Sequence, residues 1–264
     1  MDSIGAVIVT HNNQATLMAC LESLQKAGIE DIVVVDNAST DNTSSHIPSG
    51  ITVFKNAQNI GFGAAVNQGA STLKNEYLLF LNPDAQLQDS LEEAVQAMRQ
   101  DSHLGIVGLA LYDKEGKLEQ HSFGGFPSLR TLFLRKLFPK ATAPRIARSS
   151  ERRGATSPDW VSAGAMVVRQ KTWQQIGGFD PIFFMYWEDI DICLRAHKAG
   201  WKITHLPQVH VVHQRGASLA DTRKKTQLYD AAADRYFKKH YPRYIWGIQH
   251  FGRQLYRGLF PRVS

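Results

Sequence analysis

Glu188, Asp189 and Asp191 stand within four positions, directly behind the apolar and aromatic run Phe183-Phe184-Met185-Tyr186-Trp187. A carboxylate pressed against apolar surface loses hydration, which raises its pKa toward neutrality. With a pKa near the working pH it becomes an effective general base. A structural alternative shares the same residues. The spacing predicts a helix from Glu188 to about Lys198, acids suit the first turn of a helix, and Asp191 and Arg195 are spaced i, i+4 for an ion pair.

A second candidate is Asp84 in Leu81-Asn82-Pro83-Asp84-Ala85. Mg2+ or Mn2+ bridging a protein to a diphosphate needs a hard oxygen ligand at a fixed place. Pro83 stiffens the approach to Asp84, although a plain turn ahead of a helix near Ser90 has the same composition. In HVVHQRGAS, alternation puts Val209 and Val211 on one face of a strand, His210 on the other and His213 at the strand end. A lone histidine is by itself more often a packed or exposed residue than a ligand. The chain has no GxxxxGK[ST] phosphate loop, and Gly61-Phe62-Gly63 lacks the third glycine of a dinucleotide fingerprint.

These groups need elements to position them, and the first hundred residues alternate strand and helix signals. Ile4–Thr10, Asp31–Asp36, Ile51–Asn56 and Glu76–Leu81 read as strands. Gln14–Lys26, Gly61–Leu73 and Ser90–Gln100 read as helices. The βαβ rhythm predicts an α/β fold with a mostly parallel, Rossmann-like central sheet flanked by helices. Ligands of such sheets sit at the carboxyl ends of the strands. There the chain places Thr10-His11-Asn12-Asn13, Asp36-Asn37-Ala38-Ser39, Asn59-Ile60-Gly61-Phe62-Gly63 and Asn82-Pro83-Asp84. Each is also ordinary turn chemistry, but four at one sheet edge point to a nucleotide cleft.

The 264 residues are 43% hydrophobic and 20% charged, enough for a sizeable core. No apolar run reaches the roughly 18 to 20 residues that span a bilayer, and MDSIGAVIVTHNN reads as a buried strand rather than a signal peptide. Cys20 and Cys193 make no disulfide framework, so a reducing cytosol is expected. The net charge of +6 is unevenly spread: residues 128–153 and 221–264 carry +7 each, which leaves −8 for the remainder. The first basic stretch reads as a surface helix or loop. In the second, Tyr, Trp and Phe alternate with Arg and Lys, a pattern that suits an anionic membrane surface; a solvated tail packed on the body is the alternative. No nucleic-acid fold signature accompanies the charge, so nucleic acid is not an expected partner.

VIVTHNN, VVVDNAS, NIGFGAAVNQG, LLFLNPDA, SAGAMVVRQ, GGFDPIFFMYWEDIDICLRAHKAG and VHVVHQRGAS follow one another from about residue 3 to residue 218. In order and spacing the chain resembles family 2 glycosyltransferases of the GT-A fold, most closely bacterial dTDP-rhamnosyltransferases. The resemblance implies a GT-A domain over 1–220 and a basic, aromatic, helical C-terminal extension over 221–264 that contacts the membrane surface.

It also implies roles. Thr10, Asn12, Asp36, Asn59, Gly61 and Asn67 would border the nucleotide sugar, with Gly164 of the SAGAM segment letting backbone approach the sugar. Asn82 takes the first acid position of the family's DxD motif, a departure, and with Asp191 joins the nucleotide-sugar group. Asp84 and His213 would hold a divalent cation, Mg2+ or Mn2+. Asp189 would be the catalytic base, with Glu188 the second candidate, and Tyr186 and Trp187 could stack on sugar rings. Asp180 reads as a structural cap, and Arg215 and Ser218 as part of a loop closing over the diphosphate. The implied activity is inverting transfer of a sugar, L-rhamnose from dTDP-L-rhamnose, to a lipid-linked saccharide in cell-surface polysaccharide synthesis. The enzyme would sit in the cytoplasm, peripheral to the inner face of the membrane. Another donor such as a UDP-hexose, or a non-catalytic nucleotide-sugar binder, are the alternatives.

Overall fold

The computed structural model describes residues 3–119, 122–127, 155–214 and 222–259. The basic stretch 128–153 and the loop with Arg215 and Ser218 lie outside the described residues.

An eight-stranded sheet forms the centre. Its strands are β1 (Ile4–Thr10), β2 (Asp31–Asp36), β3 (Thr52–Lys55), β4 (Tyr77–Leu81), β5 (Ala85–Leu87), β6 (Leu104–Tyr112), β9 (Ala165–Arg169) and β10 (Lys202–His213), in the order β3-β2-β1-β4-β9-β6-β10-β5. β7 (Phe123–Gly124) and β8 (Trp160–Val161) make a separate two-stranded ribbon. β1 to β4 are parallel neighbours, as the βαβ rhythm requires. The far half is mixed. β9 runs antiparallel to both β4 and β6, and β5 antiparallel to β10, while β6 and β10 are parallel.

The β-branched runs explain why these segments are central strands. In β2, Ile32 and Val34 point to one core cluster and Val33 and Val35 to the other, the period-2 pattern of a strand covered on both faces. Helices α1 (Leu17–Lys26) and α3 (Glu92–Gln100) cover one face through Leu17, Leu21, Leu24, Ala94 and Met98. Helices α2 (Phe62–Ala70), α4 (Gln170–Ile176) and α5 (Glu188–Lys198) cover the other, with Val66, Trp173, Ile192 and Ala196 buried there. α1, α2 and α3 are each shorter than their periodicity predicts; before α1, Thr16 and Leu17 both donate to the Asn13 carbonyl, and after α2, Thr72 and Leu73 donate to the Gly69 and Ala70 carbonyls in a turn. Cys20 and Cys193 are free and buried, one against each face.

A third cluster lies outside the sheet. Helix α6 (Thr222–His240) and helix α7 (Arg243–Leu259) form a hairpin. Ala232, Ala233, Tyr236 and Phe237 of α6 bury Phe183, Trp187 and Ile190 at the start of α5. The C-terminal basic segment is thus packed onto the acidic motif rather than hanging free. No helix among the described residues is long and apolar enough to cross a membrane.

Candidate active site

β1 and β2 end side by side, with Thr10 registered against Asp36. Both are buried and locally satisfied. Thr10 Oγ1 donates to Asn13 Oδ1 at 3.2 Å, and Asp36 Oδ1 accepts from the Ser39 amide at 2.8 Å. Asn12 stitches the two strand-end loops together: its φ is 58°, its amide donates to Ser39 Oγ at 3.0 Å, and its Oδ1 accepts from the Thr40 amide at 2.7 Å.

The hub of this edge is Asn37, which the sequence reading passed over for Asp36. Its Nδ2 donates to Asn59 Oδ1 (2.9 Å) and to the Gly61 carbonyl (3.2 Å); its Oδ1 accepts from the Ile60 amide (3.0 Å) and from Asn56 Nδ2 (3.2 Å). With four partners, its buried amide fixes the loop that brings Asn59 and Gly61 to the strand ends. Gly61 has φ 88°, and a Cβ there would lie 2.6 Å from the Phe184 carbonyl oxygen. Only glycine lets that loop meet the segment preceding Glu188 so closely.

Asn67 was expected to border the nucleotide sugar. Instead its Oδ1 accepts from the Phe179 amide at 2.9 Å and its Nδ2 donates to the Phe179 carbonyl at 2.7 Å. Both ends of the amide clamp the Gly177-Gly178-Phe179-Asp180 loop, so Asn67 positions that loop rather than offering groups to a ligand. Asp180 is structural, as expected: Oδ1 accepts from the Ile182 amide at 3.0 Å and Oδ2 meets Lys239 Nζ at 2.7 Å.

Antiparallel pairing of β5 with β10 sets His213 opposite Ala85, which places Asp84 beside it. His213 Nε2 lies 3.0 Å from Asp84 Oδ1, and Asn82 Nδ2 lies 3.4 Å from the same nitrogen. The other face of the ring meets a residue that no motif pointed to: Glu119 Oε1 lies 2.9 Å from Nδ1. Burial opposes a charge on His213, but its hydrogen bonds to Asp84 and Glu119 outweigh this and raise its pKa to about 9. Gly164 sits against this cluster, its carbonyl accepting from the Asn82 amide at 3.0 Å; a Cβ on Gly164 would come 3.2 Å from Asn82 Nδ2. Ser162–Gly164 is a turn leading into β9.

The acids at the start of α5 separate into different roles. Tyr186 and Trp187 both have left-handed backbone, φ 71° and 68°. For bulky residues this costs about 1–3 kcal/mol each and persists only where surroundings enforce it. The enforcement is the α6 cluster: Trp187 is 4% exposed, its ring 5.1 Å from that of Tyr236. Trp187 is therefore too buried to stack on a sugar, whereas Tyr186 is half-buried. Glu188 is buried, with Oε2 unpartnered, and burial followed by repulsion from Asp189 raises its pKa. Asp189 is more accessible. Burial raises its pKa too, partly offset by the Ile190, Asp189 and Ala163 backbone amides. The Ala163 contact places Asp189 beside the Ser162–Gly164 turn and so links it to the Asn82 cluster.

Asp191, expected in the nucleotide-sugar group, faces away from this arrangement. Its side chain is fully buried, Oδ2 is 2.7 Å from Arg195 Nε, and Oδ1 is 2.6 Å from both Lys239 Nζ and His240 Nε2. With both oxygens taken by Arg195, Lys239 and His240, it ties α5 to α6. The pairing with Arg195 was visible in the i, i+4 spacing.

The structure thus brings Thr10, Asp36, Asn59 and Gly61 to one sheet edge, with Asn82, Asp84, His213 and Gly164 as a second group and Asp189 with Glu188 as a third. A carboxylate of raised pKa beside a carboxylate–imidazole pair, at the carboxyl ends of parallel strands, suits group transfer from a phosphorylated donor. The profile described as Glycosyl transferase family 2 matches residues 6–152, and that described as Glycosyl transferase family group 2 matches residues 84–262. Among curated relatives, the N-acetylglucosaminyl-diphospho-decaprenol L-rhamnosyltransferase of Mycobacterium tuberculosis is 26% identical over 246 residues, 82% of this chain and 78% of the relative. The rhamnosyltransferase WbbL of Escherichia coli is 28% identical over 221 residues, 78% of this chain and 81% of the relative. The solved structure of GalNAc-T7 with UDP, GalNAc and Mn2+ superposes with a TM-score of 0.62 at 17% identity, over 82% of this chain and 44% of that one, a likeness of fold. The fold is GT-A, and the chain is a glycosyltransferase that belongs to glycosyl transferase family 2.

Proposed function

We propose that the chain is an inverting transferase that moves L-rhamnose from dTDP-L-rhamnose to a lipid-linked saccharide. The observation that carries the mechanism is the position of Asp189: half-buried, raised in pKa by burial, and beside the Ser162–Gly164 turn. Asp189 takes the proton of the acceptor hydroxyl as that oxygen bonds to the anomeric carbon. The bond from that carbon to the diphosphate breaks, and the nucleoside diphosphate leaves. The names of the two rhamnosyltransferase relatives support the donor sugar, and the diphospho-decaprenol in one of them supports the lipid-linked acceptor.

Asp84 Oδ1 and His213 Nε2 lie 3.0 Å apart, an oxygen and a nitrogen donor close enough to share a divalent cation. Among the described residues no group of three or more His, Cys, Asp or Glu side chains is placed to hold an ion, so diphosphate oxygens and water would complete the coordination. Asn82 offers hydrogen bonding there in place of a second acid. When bound, the ion supplies charge neutralisation of the departing diphosphate.

Peripheral membrane attachment has its own support. Tyr244, Ile248 and Phe251, spaced i, i+4, i+7 on α7, are 67%, 59% and 69% exposed. Arg235, Lys238 and Arg243 are exposed on the same hairpin. An exposed apolar stripe on a hairpin that also exposes basic side chains suits an anionic bilayer surface.

The test is a donor screen with dTDP-rhamnose, UDP-glucose, UDP-galactose, UDP-GlcNAc and GDP-mannose, using Mg2+ or Mn2+ and a short lipid-diphosphate-GlcNAc acceptor. Release of dTDP alone, lost with Asp189→Asn or chelator, is the expected result. Release of UDP or GDP keeps the mechanism and overturns the rhamnose donor. Binding of a donor without release of its nucleoside diphosphate in the presence of this acceptor counts against catalysis as proposed.

A further inference from the structure

Glu119 reaches the cluster from outside every motif. β6 ends at Tyr112, and the chain reverses through a turn in which the Lys117 carbonyl accepts from the Asp113 amide at 2.9 Å. Returning, the Glu119 amide donates to the Leu111 carbonyl at 2.8 Å, and the Glu119 carbonyl accepts from Ser122 Oγ at 2.7 Å. Backbone bonds on both sides hold the residue in place, and its side chain is only 9% exposed. From that fixed place Oε1 lies 2.9 Å from His213 Nδ1, while Asp84 and Asn82 occupy the Nε2 side.

An imidazole has two nitrogens, and the hydrogen bond at one decides what the other can do. A carboxylate at Nδ1 accepts only, so it holds a proton on Nδ1. Asp84 Oδ1 holds a proton on Nε2 in the same way, so Nε2 is the nitrogen that presents a lone pair to an ion once that proton is released, on the side where Asp84 lies. The carboxylate also fixes the ring plane, and it raises the basicity of the ligating nitrogen.

We propose that Glu119 is a positioning residue for the cation site: it holds His213 with Nδ1 protonated and Nε2 aimed at a divalent ion shared with Asp84 and a nucleoside diphosphate. This rests on the assignment of Asp84 and His213 as the protein ligands of that ion. Glu119 itself touches neither ion nor nucleotide. Its negative charge matters as well as its shape, because an amide in its place accepts less strongly and can turn its NH2 toward the ring.

The experiment measures Mn2+ affinity by electron paramagnetic resonance, at one fixed pH with saturating dTDP, for the wild type, Glu119→Gln and Glu119→Leu. The affinity of the same proteins for dTDP without metal, and their thermal midpoints, are measured alongside. Outer partners of metal-bound histidine are worth about 10- to 100-fold in affinity. The expected result is a loss of about tenfold in Glu119→Gln and a larger one in Glu119→Leu, within that same range, with metal-free dTDP affinity unchanged. Wild-type Mn2+ affinity in Glu119→Gln overturns the proposal, whether or not the leucine variant folds. An equal loss of dTDP affinity without metal also overturns it, because Glu119 would then support the site as a whole. No Mn2+ binding by the wild type in the presence of dTDP overturns instead the cation assignment on which the proposal rests.

Discussion

Asp191 Oδ1 lies 2.6 Å from Lys239 Nζ, a part-buried contact that fastens the helix carrying Glu188 and Asp189 to the C-terminal hairpin. His240 and Arg195 complete the set of partners around the same carboxylate. The hairpin also covers Trp187, so it holds the left-handed Tyr186–Trp187 backbone and with it the direction in which α5 begins.

Stability should report this tie. Burial opposes a charge on Asp191, but His240, Arg195 and Lys239 overcome it and hold the pKa down to about 2. A carboxylate whose folded pKa is depressed stabilises the fold above its unfolded pKa, about 3.9, and loses that contribution as pH falls through the folded value. Asp191→Asn removes the counter-charge shared by the part-buried Arg195 and Lys239 and should cost up to about 3 kcal/mol at pH 7. Urea midpoints for the two proteins should then approach each other as pH falls from about 4 toward 2. A constant gap over that interval would show that charge is not what Asp191 contributes.

The base assignment predicts a separate kinetic result. Asp189→Asn should bind donor as the wild type does while kcat falls by about 10^2 to 10^4. In the wild type, kcat/KM should rise with pH as Asp189 ionises, with its midpoint above the ordinary aspartate range because burial raises the pKa. Nucleoside diphosphate release followed across pH 4 to 9 checks both; a midpoint near about 4 would argue for a solvated carboxylate as the base.

Glu188 should destabilise the fold when ionised. Its pKa is raised by burial and by Asp189, so the folded state holds its proton more tightly than the unfolded chain. Stability is therefore lost as pH rises above the unfolded value of about 4.3. Glu188→Gln should leave urea stability unchanged at pH 4 and raise it at pH 8. Equal stability of the two proteins at both pH values would mean that Glu188 is not held in an apolar setting.

Much of this architecture was legible where one chain segment determines it. The alternating burial of Ile32, Val33, Val34 and Val35 follows from their own order, and so does the α5 helix behind Trp187. Asp84 and His213 were readable as motif positions, but their 3.0 Å approach depends on β5 pairing with β10 across 129 residues. Glu119 was invisible because a glutamate in a polar turn has no periodicity to betray it; only the reversal after β6 brings it to His213. Asn67 and Asp191 were misplaced for the opposite reason. Their polar side chains were visible, but the partners that consume them, the Phe179 backbone for one and Lys239 with His240 for the other, come from distant segments. A polar side chain shows what it can bond to, not whether the fold has already spent that capacity.

The hairpin provides the last prediction. Deleting residues 241–264 would be a poor test of membrane attachment, because Tyr241, Ile245 and Trp246 pack against the cluster over Trp187, and the Arg253 guanidinium reaches Asp234 at 3.0 Å. Substituting Tyr244, Ile248 and Phe251 together by serine removes only exposed apolar surface. At roughly 1.5–3 kcal/mol for each large apolar side chain fully buried, three partly inserted side chains are enough to move binding by orders of magnitude. The triple variant should keep its thermal midpoint and its turnover of a water-soluble acceptor. It should lose sedimentation with vesicles rich in anionic lipid and slow on lipid-linked acceptor presented in those vesicles. Wild-type sedimentation by the triple variant would refute the α7 stripe as the attachment face.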